Sequence, residues 1–409
     1  MYRPAAGLPE VYHRLSMTDR APRKRRLAIV VSHPIQYYAP WFRHLAATAG
    51  LDVRVFYLSD HGVRPAHDEQ FGAAFAWDTD LLSGYAHEFV PNVSSRPSVN
   101  AFSGLQNPAL RPALRSFDPA AILLFGYAYR THLELLLRAP APIIFRGDSH
   151  LLGGPPPRGP KRWLLRLIYS RAAAFLPVGR ANAAYFRHFG APEKKLFPAP
   201  HCVDAAHFSP NPRRLADAAA QRAALGIPAD APVALFAGKL IAKKRPDLLL
   251  AAFIRADTPG AHLVLSGDGD LLPSLRATAA GRPDVHFLPF ANQSEMPARY
   301  LLGDVFVLPS EGRHETWGLA VNEAMHLSRP AILSDHVGCH PDLLVSGETG
   351  WLFPAGDETA LARVLREALS LPREKIAALG RAAAARVAGF NHEAATAGLL
   401  SAIDGLPAR

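Results

Sequence analysis

At 409 residues with 49% apolar side chains, the chain is too long for one ordinary α/β core and has the material for two domains of about 200 residues each. Two cysteines, Cys202 and Cys339, lie far apart without metal-ligand spacing; this argues against a disulfide framework and a thiolate metal site, and favours a reducing, cytoplasmic setting. The net charge of +10 is uneven: residues 1–204 hold 25 Lys and Arg against 14 Asp and Glu, and the remainder holds 20 against 21. Within the first half, residues 151–200 carry nine basic side chains and one acid, Glu193. An anionic surface is the natural partner of such a region, either a membrane or a nucleic acid. No zinc spacing, helix-turn-helix signature or aromatic RNA-binding motif accompanies the charge, which weighs against the nucleic acid.

Residues 1–22 lack a clear hydrophobic period and read as a loose tail, closed by the basic run Arg23-Lys-Arg-Arg26. The apolar run 27–31 ends at His33, too soon for a secretory or membrane segment, and reads as a first strand. From there strands alternate with helices, the pattern of doubly wound parallel sheets. Segments 27–32, 52–58, 121–125, 142–146 and 174–178 are predicted strands of one Rossmann-like sheet. Segments 233–237, 262–266, 285–288, 305–308 and 331–334 are those of a second. The stretch 206–212, with two prolines and little apolar content, is the expected interdomain linker, dividing residues 27–205 from 206–390. The Pro/Gly-rich stretch 153–160 reads as an internal loop. After it, Lys161-Arg-Trp-Leu-Leu-Arg-Leu-Ile-Tyr-Ser-Arg171 places Trp163, Leu164, Leu167 and Ile168 on one helical stripe among basic residues. That stripe suits a helix packing its apolar face on the sheet and also suits a membrane-surface helix.

The most informative segment is Glu315-Thr-Trp-Gly-Leu-Ala-Val-Asn-Glu323. It follows the buried-strand pattern 305–309, with Glu315 on the loop and Glu323 about a turn and a half into the next helix. A strand, a loop with Gly318 and an apolar helix form a phosphate-binding device, because free backbone N–H groups and the positive helix end face the loop. A carboxylate accepts hydrogen bonds from two vicinal hydroxyls at once. One glutamate on each side of a diphosphate therefore suits a sugar on one side and a ribose on the other. Two glutamates at this spacing are also common as solvated surface, so the surrounding residues carry the argument.

Those residues are Leu308-Pro-Ser310 to Gly318, Asn322-Glu-Ala-Met325, Arg329-Pro-Ala-Ile-Leu-Ser-Asp335, Val337-Gly-Cys-His-Pro-Asp342 and Gly347-Glu-Thr-Gly350. In order and spacing they resemble the donor-sugar half of retaining family 4 glycosyltransferases. Upstream, Val233-Ala-Leu-Phe-Ala-Gly-Lys-Leu240 is similar to the family's strand opening onto a glycine and a basic residue, with Lys244 five further on. Lys239 stands where the family more often has arginine, which favours point-charge neutralisation over bidentate contact, and Arg245 stands where the family usually has glycine. His262-Leu-Val-Leu-Ser-Gly-Asp-Gly269 is similar to the next strand and its glycine turn.

In the first half, Ser32-His-Pro-Ile-Gln-Tyr-Tyr38, Trp77-Asp-Thr-Asp-Leu-Leu-Ser-Gly-Tyr85 and Phe145-Arg-Gly-Asp-Ser149 resemble a subset of the same family. His33, Gln36, Tyr37 and Asp148 are candidates for the acceptor side of a cleft, with a buried structural role as the alternative for each. Asp78-Thr-Asp80 and Asp268-Gly-Asp270 match the metal-holding Asp-x-Asp pattern literally, and both are read as structural.

The resemblance implies an α/β GT-B architecture, two Rossmann-like domains facing across a cleft. The last helix, 391–409, would return to the first, acceptor-binding domain. It implies a retaining transferase with the nucleotide diphosphate sugar as a substrate and with neither metal nor cofactor. Glu315 would hold donor-sugar hydroxyls and Glu323 the ribose. Gly238, Lys239, Lys244 and Gly267 would lie at the diphosphate, the backbone from Trp317 through Gly318 to Leu319 at the distal phosphate, and Phe290 near the base. Glu315, Lys244, Lys239 and Asp148 are the candidates for the chemistry. The expected acceptor is a glycan or lipid-linked precursor of the cell envelope or an exopolysaccharide. The expected location is cytoplasmic, with 161–171 touching the anionic inner face of the plasma membrane. A nucleotide-sugar epimerase or a phosphorylase on the same architecture is the alternative enzyme, and a basic nucleic-acid-binding protein a distant third.

Overall fold

A computed structural model describes residues 24–63, 66–68, 73–75 and 77–407. Of the tail and basic run expected over 1–26, residues 1–23 lie outside the described residues. Twelve strands form two six-stranded parallel sheets. The first contains β1 (Arg25–Val31), β2 (Leu51–Tyr57), β3 (Ala86–Phe89), β4 (Ala121–Phe125), β5 (Ile143–Arg146) and β6 (Ala174–Phe175), in the spatial order β3-β2-β1-β4-β5-β6. The second contains β7 (Val233–Ala237), β8 (His262–Ser266), β9 (Val285–Leu288), β10 (Val305–Leu308), β11 (Ala331–Ser334) and β12 (Gly350–Phe353), in the order β9-β8-β7-β10-β11-β12. A short antiparallel pair, Ala66–Asp68 with Ala73–Phe75, belongs to neither sheet.

The central strands are buried along most of their length, as parallel strands covered by helices on both faces must be. β7, for instance, has no exposed residue. Besides the short pair, two strands of the main sheets escaped the sequence reading, and both are outermost in their sheets. β3 is Ala-His-Glu-Phe with three of its four residues exposed, so no apolar run marks it. β12 begins at Gly350 inside a glycine-containing motif that reads as loop.

One apolar cluster fills the second domain, and two others cover the opposite faces of the first sheet. The last helix, His392–Asp404, is capped by Asn391, whose side chain accepts from Ala394 N–H. Its Ala395, Leu399 and Ala402 lie in the first domain's core, and Trp41 donates its indole N–H to Thr396 at 3.1 Å. The helix Gly159–Ser170 departs from the predicted stripe. It packs through Leu165, Ile168 and Tyr169, whereas Trp163, Leu164 and Leu167 face outward.

Both sheets share the order in which the first strand is flanked by the second and fourth. Such a sheet opens a crevice outside the carboxyl ends of its first and fourth strands, where successive crossover helices go to opposite faces. In the second domain those ends are Ala237 of β7 and Leu308 of β10, so the Gly238-Lys239 turn and the Glu315 loop emerge side by side.

Candidate functional site

A cavity of about 420 Å³ lies between the domains at these strand ends, walled from the second domain by Gly238, Lys239, Lys244, Gly267, Glu315 and Glu323, and from the first by Tyr37, Tyr38, Asp148 and His201 among others. Phe290, Trp317, Gly318 and Leu319 also line it.

At one end the backbone is bare. Gly238 N–H donates to Ser266 O at 2.9 Å, and a Cβ on Gly267 would sit 1.9 Å from Gly238 O. Gly267 also has φ +142°, so a side chain there is excluded on both counts. Lys239, Lys243 and Lys244 line the cavity beside these turns. Arg245 occupies the left-handed region at φ 52°, keeping a turn that glycine adopts more readily. Its guanidinium pairs with Asp247 at 3.1 Å and with Glu311.

Glu315 sits opposite. Its Oε2 accepts from Lys244 Nζ at 2.7 Å and from Ser310 Oγ at 2.9 Å. Burial pushes the carboxyl up, but Lys244 and Ser310, with Lys243 nearby, outweigh it and hold the group below the ordinary carboxylate value. Glu315 is thus an ionised acceptor. Its loop is pinned by the segment that follows β11: Gly338 N–H donates to Glu315 O at 3.0 Å, and Cys339 N–H to Trp317 O at 2.9 Å. From the first domain, Leu152 N–H donates to His150 Nδ1 at 3.1 Å. This assigns the ring proton to Nε2, which donates to Glu315 O at 3.1 Å.

Glu323 is the fifth residue of the helix Leu319–His326, whose N-cap Gly318 has φ 95°. It is buried, and Tyr300 Oη donates to its Oε2 at 2.5 Å. Tyr37, from the first domain, lies beside the carboxylate and favours its ionised form. Burial outweighs these contacts and Lys244, and raises the group to about 7. Its other oxygen, Oε1, has no partner. An unpartnered buried carboxylate oxygen at a cavity wall is an acceptor in want of a donor.

On the first domain's side, Thr316 Oγ1 donates to Asp148 Oδ2 at 2.7 Å across the cleft. Desolvation raises the Asp148 carboxyl, but His201, with Nε2 3.9 Å from Oδ2, and the Thr316 bond bring it below its usual value. His201 is buried and lines the same cavity, and its own burial lowers its pKa. Of the three residues taken from the His-Pro-Ile-Gln-Tyr motif, Tyr37 lines the cavity and His33 and Gln36 do not. His33 hydrogen-bonds Ser32 Oγ at 2.9 Å and meets His61 edge to face. Gln36 lies beside the Tyr37 hydroxyl. His150, His201 and Tyr300 were missed by the sequence reading and carry no local signature; Ser310 and Thr316 lie inside the quoted motifs around Glu315 but were given no role there.

Both Asp-x-Asp matches are engaged in backbone bonding. Asp78 accepts from Ser294 N–H at 3.2 Å, linking the two domains, and Asp80 Oδ1 accepts from the N–H groups of Leu82 and Ser83 at 3.1 Å. Asp268 accepts from Gly269 N–H at 2.8 Å.

Residues 217–386 match the family described as Glycosyl transferases group 1. Over 223 residues the chain is 32% identical to a D-inositol 3-phosphate glycosyltransferase of Kineococcus radiotolerans, covering 49% of this chain and 50% of that one. The chain spans about half the length of the curated relatives it matches. Among solved structures, HepE of Anabaena in complex with UDP superposes with a TM-score of 0.70 at 16% identity, over 93% of this chain and 100% of that one. Sucrose-phosphate synthase from Thermosynechococcus elongatus gives 0.69 at 21% identity, over 92% and 98%. The architecture is the two-domain GT-B fold of such transferases.

Proposed function

From a group 1 glycosyl transferase domain at residues 217–386, set against a second Rossmann-like domain, we propose that the chain is a glycosyltransferase. It moves a hexosyl-type group from a nucleotide diphosphate sugar to a hydroxyl of a cell-envelope or exopolysaccharide precursor, with retention and without a metal. The observation that carries this reading is the convergence of Glu315, Glu323 and the lysines 239 and 244 on one interdomain cavity. The UDP bound in HepE, a protein of the same fold, supports a nucleotide diphosphate as the donor's leaving group.

Each role follows from the local chemistry. Glu323 Oε1, lacking a partner, accepts from the ribose hydroxyls. The diphosphate lies over Gly238 and Gly267, where no Cβ intervenes, with Lys239 and Lys244 neutralising it and the start of the helix Leu319–His326 facing the distal phosphate. Glu315, held ionised by Lys244, accepts from the donor-sugar hydroxyls. The acceptor enters from the side of Tyr37 and Asp148, attacks the front face of the anomeric carbon, and gives its proton to the departing diphosphate. The anomeric bond to the diphosphate oxygen breaks as the new glycosidic bond forms, so the electron pair leaves with the nucleotide.

A thermal-shift panel of UDP, GDP and ADP sugars tests donor binding, because tight binding to the folded state raises the melting temperature by mass action. Sugar transfer to an acceptor in the absence of free phosphate separates this reading from a phosphorylase. Release of free nucleotide with product formation separates it from an epimerase acting on the nucleotide sugar. No stabilisation by any member of the panel would overturn it.

A further inference from the structure

The outward side of the helix Gly159–Ser170 carries three large apolar side chains in solvent: Trp163 at 71% exposure, Leu164 at 53% and Leu167 at 51%. Positions 163, 164 and 167 lie on one side of a helix, and the buried Leu165, Ile168 and Tyr169 anchor its opposite side to the first sheet. Arg158, Lys161, Arg162, Arg166 and Arg171 are exposed around the patch, and the Arg166 guanidinium lies 5.9 Å from the Trp163 ring centroid. No Asp or Glu occurs between Asp148 and Glu193.

We propose that this helix seats the first domain on an anionic lipid bilayer. Trp163, Leu164 and Leu167 enter the boundary between headgroups and acyl chains, and Lys161, Arg162 and Arg166 meet the lipid phosphates. A fixed apolar ridge ringed by cations matches a surface that offers continuous negative charge over an apolar interior. Tryptophan, with an apolar ring and one N–H donor, suits the boundary between them. The helix is rigidly joined to the cleft: it is preceded by the loop in which His150 bonds Glu315 O and Pro155 O accepts from Arg313. Seating the helix on a leaflet thereby brings the cleft to the membrane, where a lipid-borne acceptor is held in two dimensions.

Co-sedimentation with vesicles of phosphatidylglycerol mixed into phosphatidylcholine, against phosphatidylcholine alone, at low and high salt, tests the proposal. The protein is expected to pellet with the anionic vesicles and to be released by salt. Lys161→Ala with Arg162→Ala should lower partitioning roughly 30-fold, at about fivefold for each cation removed near an anionic surface. Trp163→Ser, Leu164→Ser and Leu167→Ser combined should abolish it while leaving the melting temperature and nucleotide binding unchanged, because all three side chains are already in water. A blue shift of fluorescence on vesicle addition, lost in Trp163→Phe, would place the ring in the bilayer. Equal recovery in the supernatant with both vesicle types at low salt would overturn the proposal. So would self-association of the wild type that the triple serine variant loses without vesicles, which would assign the patch to a second copy. Binding to a nucleic acid duplex that outcompetes anionic vesicles would likewise overturn it.

Discussion

Lys244 Nζ lies 2.7 Å from Glu315 Oε2, with the two side chains 19% and 15% exposed. Each charge is compensated by the other with both side chains largely shielded from water, so the pair is worth more as an arrangement than either residue alone. Removing one partner leaves the other buried and unpaired, which typically costs roughly 2–5 kcal/mol. Lys244→Ala should therefore lower kcat/KM at least ~30-fold. Glu315→Gln should lower kcat far more than it weakens binding of the free nucleotide, because the proposed contacts of Glu315 are to the sugar. Steady-state kinetics alongside calorimetric titration with the nucleotide would show this, and wild-type transfer rates in both variants would contradict the assignment.

If Glu323 holds the ribose as proposed, nucleotide binding should depend on pH. Its carboxyl, raised to about 7 by burial, must be ionised to serve two ribose hydroxyl donors, and those donors in turn favour the ionised form. Affinity for the nucleotide should rise with pH up to about 7 and then level off, and binding near pH 7 should release a proton. Titration calorimetry in two buffers of different ionisation enthalpy measures that proton directly. Tyr37→Phe removes a hydroxyl that favours the ionised carboxylate and should move the midpoint upward. A flat affinity between pH 5.5 and 8 would show that Glu323 does not contact the ligand.

The same carboxyl bears on stability. A group whose pKa rises from 4.5 in the unfolded chain to about 7 in the folded one favours folding below pH 4.5 and loses that contribution as the pH passes 7. Glu323→Gln never ionises. At pH 8 it should be more stable than the wild type by roughly 1–3 kcal/mol, and near pH 4 the two should converge. Denaturant titration at both pH values checks the sign, and the same variant should bind the nucleotide less well. Stability gained with binding lost is the mark of a residue kept for its ligand.

Chelation should leave transfer intact. In the proposed chemistry the leaving diphosphate meets Lys239 and Lys244, and three of the four aspartates that match Asp-x-Asp are engaged elsewhere, Asp78 with Ser294, Asp80 in its own turn and Asp268 with Gly269. Activity abolished by EDTA and restored by Mn²⁺ would return the diphosphate to a metal ion.

What the sequence by itself determined lies where the signal is local. The five second-domain strands predicted coincide with β7 to β11, because parallel strands of such a sheet are short, largely apolar runs, ended here by Gly238, Gly267, Pro289, Pro309 and Asp335, and both features are written in adjacent residues. The Gly238, Gly267 and Gly318 turns and the spacing of Glu315 and Glu323 were legible for the same reason: each is needed by the backbone or helix pitch at that point of the chain. Tertiary structure alone decided which side chains meet across the cleft. Tyr37 and Tyr300 reach Glu323 from separate elements, His150 reaches Glu315 O from 165 residues away, and Thr316 bonds Asp148 from 168. No neighbour in sequence constrains these pairings, so no pattern marks which side chains meet. It decided also that Arg245 could hold a turn usual for glycine, since Asp247 and Glu311 grip its guanidinium. And it decided the fate of one amphipathic helix: periodicity shows that residues 163, 164, 167 and 168 share a stripe, but only the position of the sheet shows that Ile168 is covered while the other three remain in water.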